Sequence, residues 1–170
     1  YNAGLNFNIL NSPKTSSTNV VVNNLPIPVN GPVSSNEGVF TLSDANGNRL
    51  MSGDGSTIYN KNNNVMPNGT NMGGNFSATQ SGIVYPVPNQ PNRYYVFSVP
   101  AMAAPGNIQY AIIDMTLNGG LGGMATIGGT LQKNRIVPSS SGSAENIAVV
   151  KNPSDNTFWL ISWKYQFPSP

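Results

Sequence analysis

The chain has 170 residues, which is enough to bury a hydrophobic core within one domain. Only 8% of the residues are charged and the formal net charge is +2, with Lys and Arg scattered singly, so no basic surface for nucleic acid is indicated. The sequence contains no Cys and no His, which excludes thiol nucleophiles, Cys/His zinc sites and Ser-His-Asp triads.

Asn, Gly and Pro replace charged residues as the source of polarity and of turns. About one residue in seven is Asn, beside 18 Gly and 14 Pro. Asn-Gly pairs recur at Asn30, Asn46, Asn68 and Asn118. These residue types are unfavourable inside helices and favourable in tight turns. The composition therefore predicts an all-β fold of short strands and tight turns, with little or no helix.

Targeting segments are not evident in the sequence. No apolar run reaches the ~20 residues that a membrane-spanning helix needs. The chain opens with YNAGLNFNIL, without Met or a charged leader, which favours a processed mature terminus or a segment cut from a longer chain.

The first predicted strand is VVVNNLPIPV, residues 20–29, whose two Pro residues confine its second half to a sheet edge. Three later segments share one plan: an apolar strand, a turn rich in Asn, Pro, Asp or Gly, and a second apolar or aromatic strand. They are residues 37–54, 81–99 and 146–163. We predict that each is an antiparallel hairpin. The interval between the first hairpin and the second is close to the ~40 to 50 residues of a four-stranded propeller blade.

The turn of the first hairpin, SDANGNRLMSGDG at 43–55, has two interpretations. Asp44, Asn46 and Asn48 alternate as oxygen ligands do at the start of an EF-hand loop. The sixth and twelfth positions of that loop require Gly and Glu, but they hold Arg and Gly here. The alternative is a two-residue turn at Asn46-Gly47 with positive φ at both residues. Because the ligand pattern fails twice, we expect a turn without metal.

Two further strands are predicted, STIYN at 56–60 and IQYAIIDMTL at 108–117. The second runs into NGGLGGMATIGGTL, whose glycines are similar to those of a phosphate-binding loop. Such a loop lies between a strand and a helix and needs Lys-Ser/Thr or a distant acidic residue. The following segment has no helical period, so we predict a glycine-lined connection between strands.

The capacity for acid-base chemistry is limited to six carboxylates: Glu37, Asp44, Asp54, Asp114, Glu145 and Asp155. A glycosidase needs two of them about 5 to 10 Å apart. Most lie at predicted turns or strand ends, and Asp114 in the middle of a strand is expected to accept hydrogen bonds from a neighbouring turn. We predict no catalytic residue, no metal site and no cofactor.

Aromatic residues cluster in RYYVFSV and FWLISWKYQF. Exposed aromatic rings on a sheet are a usual platform for sugars or for a partner's apolar surface. Alternation puts Trp163 and Tyr165 on one face of their strand, and it allows Tyr95 to point outward. These three are the candidate ligand-binding residues. The face of FWLISWKYQF that carries Trp163 and Tyr165 forms an aromatic stripe. The competing expectation, which we favour, is that this aromatic stripe is buried within this domain; the next domain or another subunit could also cover it.

An ordered series of motifs resembles a known family. SDANGNRLMSGDGSTIYNKNNNVMPNGT, TQS at 79–81, NRYYVFSV and IQYAIIDMTLNGGLG resemble the N-terminal β-propeller-like region of large secreted Bacteroidetes surface proteins. Those proteins carry a C-terminal gliding-motility or type IX secretion sorting domain. The matches cover residues 37–163, with departures at Asn118, where the family has Asp, and at 51–53, where it has an aromatic-rich strand end.

The resemblance implies a propeller-like fold and an extracellular location. Since the family's motifs are themselves turns and strands, it transfers no catalytic residue. The sorting domain is not within this sequence, so the secretion route is an inference from the resemblance.

We predict that residues 1–170 form one all-β domain, or part of a longer array, of antiparallel hairpin repeats arranged as a partial propeller; a β-sandwich is the alternative. The predicted function is a non-enzymatic structural or adhesive module, extracellular or at the cell surface. The alternatives are a carbohydrate-binding or, less readily, carbohydrate-cleaving propeller, and a virion or filament subunit assembled by strand pairing. Expected partners are other proteins, further domains of the same polypeptide, surface glycans or a second copy, without nucleic acid or a membrane span.

Overall fold

The regular structure of the protein is almost entirely β. The computed structural model describes the side chains of residues 30–101 and 106–164 and the backbone of residues 4–6, 14–15, 21–22, 27–101 and 106–164. Within those ranges the only helical element is a single 3-10 turn at Asn118–Gly120, which confirms the all-β prediction. The helices of the described residues include none with the length and apolar character needed to cross a membrane.

The strands are short, as the turn-rich composition predicts. In chain order they are β1 (Gly4–Asn6), β2 (Lys14–Thr15), β3 (Val21–Val22), β4 (Ile27–Val29), β5 (Phe40–Ser43), β6 (Arg49–Gly53), β7 (Ile58–Asn60), β8 (Gly82–Pro86), β9 (Arg93–Ser98), β10 (Gln109–Asp114), β11 (Gly123–Met124), β12 (Thr126–Ile127), β13 (Thr130–Leu131), β14 (Arg135–Ile136), β15 (Ser143–Lys151) and β16 (Phe158–Lys164).

Three antiparallel sheets carry the core. The first has the order β5-β6-β7. The second, called the central sheet below, has the order β8-β9-β10-β11, with β14 also pairing with β10. The third is the hairpin β15-β16. The pairs β1-β4, β2-β3 and β12-β13 are separate two-stranded ribbons, and none of the sheets formed by the described strands is closed.

Each of the three predicted hairpin segments contains an antiparallel strand pair: β5-β6 in 37–54, β8-β9 in 81–99, and β15-β16 in 146–163. β15 begins earlier than predicted, at Ser143. The strands predicted at 56–60 and 108–117 correspond to the shorter β7 and β10. The position predicted for Asp114, in the middle of a strand, was wrong because β10 ends at this residue, whose side chain accepts hydrogen bonds from the turn that follows. Of the strand predicted at 20–29, β3 and β4 are described, and the rest lies outside the described residues.

One face of the central sheet packs against the β5-β6-β7 sheet. Val96, Ala111 and Ile113 of the central sheet are buried with Phe40 and Ile58 of the other sheet in one hydrophobic cluster. Methionines fill the irregular space between these layers because their side chains are unbranched and polarisable. The same cluster holds Met51, Met66, Met72, Met115 and Met124.

The opposite face of the central sheet packs against the hairpin β15-β16. The Phe158 ring of the hairpin lies 4.7 Å from that of Tyr85, 5.7 Å from that of Tyr95 and 6.2 Å from that of Phe97, measured between centroids. Ile147 is buried in the same cluster. The central sheet is therefore the middle of three stacked layers, with the hairpin as the layer on one side.

Asn and Asp side chains organise the turns between these strands. Their oxygens accept backbone N–H groups from residues two to four positions later, and this occurs at Asp44, Asp54, Asn60, Asp114 and Asn152. In the described part of the chain, seven of the eight non-glycine residues with positive φ are Asn. Asn tolerates this left-handed region better than most residues, which explains why the sequence uses so much of it.

The turn between β5 and β6 is wider than the predicted two-residue turn. Asp44 Oδ1 accepts the backbone N–H groups of Asn46, at 2.9 Å, and Asn48, at 2.8 Å, while Asp44 Oδ2 accepts the Asn48 side-chain amide at 3.0 Å. Gly47 has a φ of +82°, whereas Asn46 does not have positive φ. The prediction of positive φ at both residues was wrong because the Asp44 carboxylate organises a longer loop with a single left-handed position.

The glycine-rich segment after β10 is a connection between strands, as predicted. The 3-10 turn at Asn118–Gly120 leads directly into β11, which pairs back onto β10. Asn118 Nδ2 donates to the Gly122 carbonyl at 2.8 Å and closes the loop. Since no α-helix follows it in the described residues, this loop lacks the helix N-terminus on which phosphate-binding loops depend.

Candidate functional site

The hairpin β15-β16 has two faces because side chains alternate along each strand. Directly paired residues share a face, so the pairs Val149/Leu160 and Lys151/Phe158 lie on the side of the central sheet. The pairs Ala148/Ile161 and Val150/Trp159 lie on the opposite side, together with Trp163. We call this second side the outer face.

The outer face is apolar and open to solvent. The exposed fraction is 64% for Trp159, 53% for Ile161, 73% for Trp163 and 49% for Val150. Single exposed apolar residues are common on proteins, but a contiguous group that includes both tryptophans of the chain marks a contact surface. The outer face is therefore the candidate functional site.

The expectation that the aromatic stripe is buried within this domain was wrong for its described part. The physical reason is the stacking order: the hairpin uses its inner side to cover the central sheet, whose other face is already covered by β5-β6-β7. No face of the described core is left to cover Trp159 and Trp163.

The structure separates the three candidate residues proposed from the sequence. Trp163 lies on the outer face. Tyr95 lies between the layers, with its ring 5.7 Å from Phe97, 5.6 Å from Tyr110 and 5.7 Å from Phe158. Burial, and secondarily Tyr110, raises the pKa of the Tyr95 hydroxyl above its ordinary value. Tyr165 lies outside the described residues.

Sequence reasoning missed Trp159 and Ile161 as members of the site. The signal was available, because both alternate with inner-face residues in FWLISWK and share a side with Trp163. What the sequence did not reveal was which of the two sides faces the central sheet.

The hairpin is attached to the rest of the protein by the TQS segment. Gln80 Nε2 donates to the Ile147 carbonyl at 2.7 Å, and Gln80 Oε1 accepts the Ile147 N–H at 3.1 Å. The Thr79 backbone N–H donates to Glu145 Oε2 at 2.7 Å. The Thr79 hydroxyl lies 2.8 Å from that oxygen and 3.1 Å from Glu37 Oε2. These contacts hold β15 at the edge of the underlying layer and fix the orientation of the outer face.

A shallow groove borders the outer face where the hairpin meets this segment. It has a volume of about 370 Å³ and is lined by Gln80, Asn146, Ala148, Ile161 and Trp163, with Ile147 and Ser162. Amide groups thus stand beside an exposed indole, an arrangement that suits a ligand with both apolar and hydrogen-bonding surfaces.

The Asp carboxylates of the described residues accept hydrogen bonds within turns. Asp114 forms an ion pair with Arg93, with 2.9 Å between Oδ2 and Nε, and its Oδ1 accepts the N–H and hydroxyl of Thr116. Burial opposes ionisation of Asp114, but the hydrogen bonds from Thr116 and Arg93 outweigh it and lower its pKa. Among the described residues no three Asp or Glu side chains converge in a way that would hold a metal ion.

No protein-family model matches the chain, and neither the curated proteins nor the solved structures contain a match to it.

Proposed function

We propose that this chain is a non-enzymatic structural or adhesive module of an extracellular or cell-surface protein, and that it acts through the outer face of β15-β16. The observation that carries the proposal is the exposure of Trp159, Ile161 and Trp163 together on one side of the hairpin. An apolar surface of this kind is stabilised by contact with a partner, because covering it removes apolar area from water.

The layered packing supports a propeller-like arrangement of successive sheets. Consecutive sheets of the chain stack face to face, and the outer face presents to solvent the same kind of residues that the inner layers bury. A further sheet, from another protein or from further domains of the same polypeptide, would continue the stack. The motif resemblance to secreted Bacteroidetes surface proteins supports the extracellular assignment.

A non-enzymatic role is supported by what the four Asp carboxylates contact. Asp44, Asp54, Asp114 and Asp155 each accept hydrogen bonds from residues two to four positions later in the chain. A side chain engaged in holding a turn is poorly placed to transfer protons to a substrate, since its hydrogen bonds fix it against the backbone of its own turn.

The test compares adhesion of an outer-face variant with that of a control variant. Microspheres carrying the wild-type protein, the Trp159→Ser/Trp163→Ser variant or the Val65→Ser/Phe76→Ser control are passed over surfaces coated with proteins or polysaccharides. Val65 and Phe76 are also exposed apolar residues, but they lie in the connection between β7 and β8. We expect retention that the outer-face variant loses and the control keeps; equal retention of all three would refute the proposal.

A second candidate, carbohydrate binding, is favoured by the two indoles on one side of a single strand, at Trp159 and Trp163, with Trp163 beside the amide groups of Gln80 and Asn146. A glycan array probed with wild-type protein and with Trp163→Ala tests it. Binding that is lost in the variant, accompanied by quenching of tryptophan emission on addition of the sugar, would favour this function over protein adhesion. An array without signal would remove it.

A further inference from the structure

The hairpin β15-β16 has two edges, and the fold occupies them differently. At the β15 edge, the Gln80 side chain bonds both the N–H and the carbonyl of Ile147, as a neighbouring strand would. Natural sheets cover or block their edges because a row of unpaired backbone groups is a template for another strand. Among the described residues no hydrogen bond engages the backbone groups at the β16 edge, although residues 137–141 line a groove of about 190 Å³ together with Leu160, Ser162 and Lys164.

The backbone groups that β16 directs outward follow from the register. Ile147 uses its N–H and carbonyl for Gln80, away from β16, so its partner Ser162 also directs its backbone groups away from the hairpin. The bond from Asn152 N–H to the Thr157 carbonyl, at 3.1 Å, agrees with this alternation. Because the pattern repeats every second residue, Phe158 and Leu160 present their N–H and carbonyl groups at the same edge.

We propose that the open edge of β16 pairs with the same edge of a second copy of this chain. The product is a four-stranded antiparallel sheet with the strand order β15-β16-β16-β15 about a two-fold axis. This inference rests on the backbone edge of β16, and the outer face only adds apolar area to the interface, so self-association and adhesion are tested by different measurements.

The strand β16 is compatible with itself in this pairing. A two-fold axis at Ile161 uses all seven residues of β16 and places Leu160 opposite Ser162 of the second copy, and Phe158 opposite Lys164. All four are residues with outward backbone groups, so the hydrogen bonds match. The two Lys164 side chains lie about 20 Å apart along the strands, beyond the range of effective repulsion at physiological salt.

The pairing also joins the two outer faces side by side. Trp159 of each copy lies opposite Trp163 of the other, and Ile161 lies opposite its own counterpart. At about 250 Å² per ring, the exposed fractions of the four indoles amount to roughly 700 Å². The area buried by partly covering this surface and by pairing the strand edges is together about 1,000 Å², the lower end of the range for specific interfaces. The dimer should therefore be weak and dependent on concentration.

Sedimentation velocity from low to high micromolar protein tests the association. We expect the apparent mass to rise from the chain mass of 18.0 kDa toward twice that value. Ser162→Pro removes an outward N–H that the hairpin itself does not use, a position where an edge strand tolerates proline. This variant should remain a monomer, while the control Ser162→Val, which keeps the N–H, should associate as the wild type does. A wild-type protein that stays monomeric at every concentration would overturn the proposal.

Single cysteines test the register, because the chain contains no native Cys. Ile161→Cys places two thiols directly opposite each other in a non-hydrogen-bonded pair, with about 4.5 Å between Cα atoms, within the range of a disulfide. Val150→Cys lies on the same outer face but on the inner strand of the hairpin. Mild oxidation should cross-link the first variant and leave the second unlinked. Equal cross-linking of the two cysteine variants would indicate that the outer faces of two copies stack on each other, and it would refute edge pairing. This result does not depend on whether Ser162→Pro folds.

Discussion

The side-chain amide of Gln80 pairs with the backbone of Ile147 through two hydrogen bonds, of 2.7 Å and 3.1 Å, in the place of a neighbouring strand. This contact joins the hairpin β15-β16 to a loop that precedes the central sheet. It therefore links the layer that carries the outer face to the layers that form the core.

Gln80→Ala should destabilise the protein by about 1 to 3 kcal/mol, since two partly buried backbone groups lose their partner. Urea unfolding followed by far-ultraviolet circular dichroism gives the free energy of unfolding. Gln132→Ala is the matched control, because the Gln132 amide bonds only the nearby Thr130 carbonyl on an exposed ribbon. The control should change stability by less than about 0.5 kcal/mol. Equal effects of the two changes would contradict the linking role of Gln80.

The local structure was largely predictable because it depends on local chemistry. The hairpins follow from apolar alternation and turn residues, and the strand pairs β5-β6, β8-β9 and β15-β16 lie where those patterns occur. Asp114 accepts hydrogen bonds from the adjacent turn as predicted, although it does so from the end of β10 rather than from the middle of a strand. The error at Asn46 arose because a side chain outside the dipeptide, the Asp44 carboxylate, selects the turn.

The candidate site was less predictable because it depends on how layers stack. Alternation shows that Trp159 and Phe158 lie on opposite sides of β16, but it does not show which side meets the central sheet. Tyr95 could not be assigned from its strand for the same reason, since both faces of the central sheet are covered. The role of Gln80 could not be predicted either, because its partner Ile147 is distant in the sequence.

Calcium should leave the melting temperature of this protein almost unchanged, because both oxygens of Asp44 already accept hydrogen bonds within the turn. A site occupied at 100 times its dissociation constant would stabilise the fold by about 2.7 kcal/mol, which corresponds to several degrees. Thermal unfolding with and without millimolar calcium is the measurement. A rise that Asp44→Asn abolishes would show that the turn binds the ion.

Gly47→Val should destabilise the same turn by about 1 to 3 kcal/mol, more than Asp44→Asn does. Gly47 has a φ of +82°, and a β-branched residue is strained in that region although the space around a Cβ there is empty. The cause is therefore backbone strain rather than a clash. The free energies of unfolding of the two variants are compared by urea unfolding. A larger loss of unfolding free energy in Asp44→Asn than in Gly47→Val would contradict the prediction.

Asp114→Asn should destabilise the protein by about 1 to 3 kcal/mol at neutral pH, because the Arg93 ion pair and a charged acceptor are lost. The pKa of Asp114 is lowered from the ordinary value of 3.8, so its stabilising effect is complete above that value and is lost as the pH falls through the folded-state pKa. The difference between variant and wild type should therefore shrink in acid. Asp155→Asn, which removes an exposed carboxylate with the same Thr contact but no Arg, is the control.

Tyr95 and Trp163 should respond in opposite ways to truncation, because one lies between layers and the other on the outer face. Tyr95→Ala removes a ring that contacts three others and should destabilise the protein by roughly 3 kcal/mol. Trp163→Ala should change stability by less than about 0.5 kcal/mol, since its side chain is 73% exposed. Urea unfolding measures both, and an adhesion or sugar-binding signal should disappear only in the Trp163 variant under conditions where both proteins are folded. If Trp163→Ala is the more destabilising change, that residue is buried in solution and the outer face is not the contact surface.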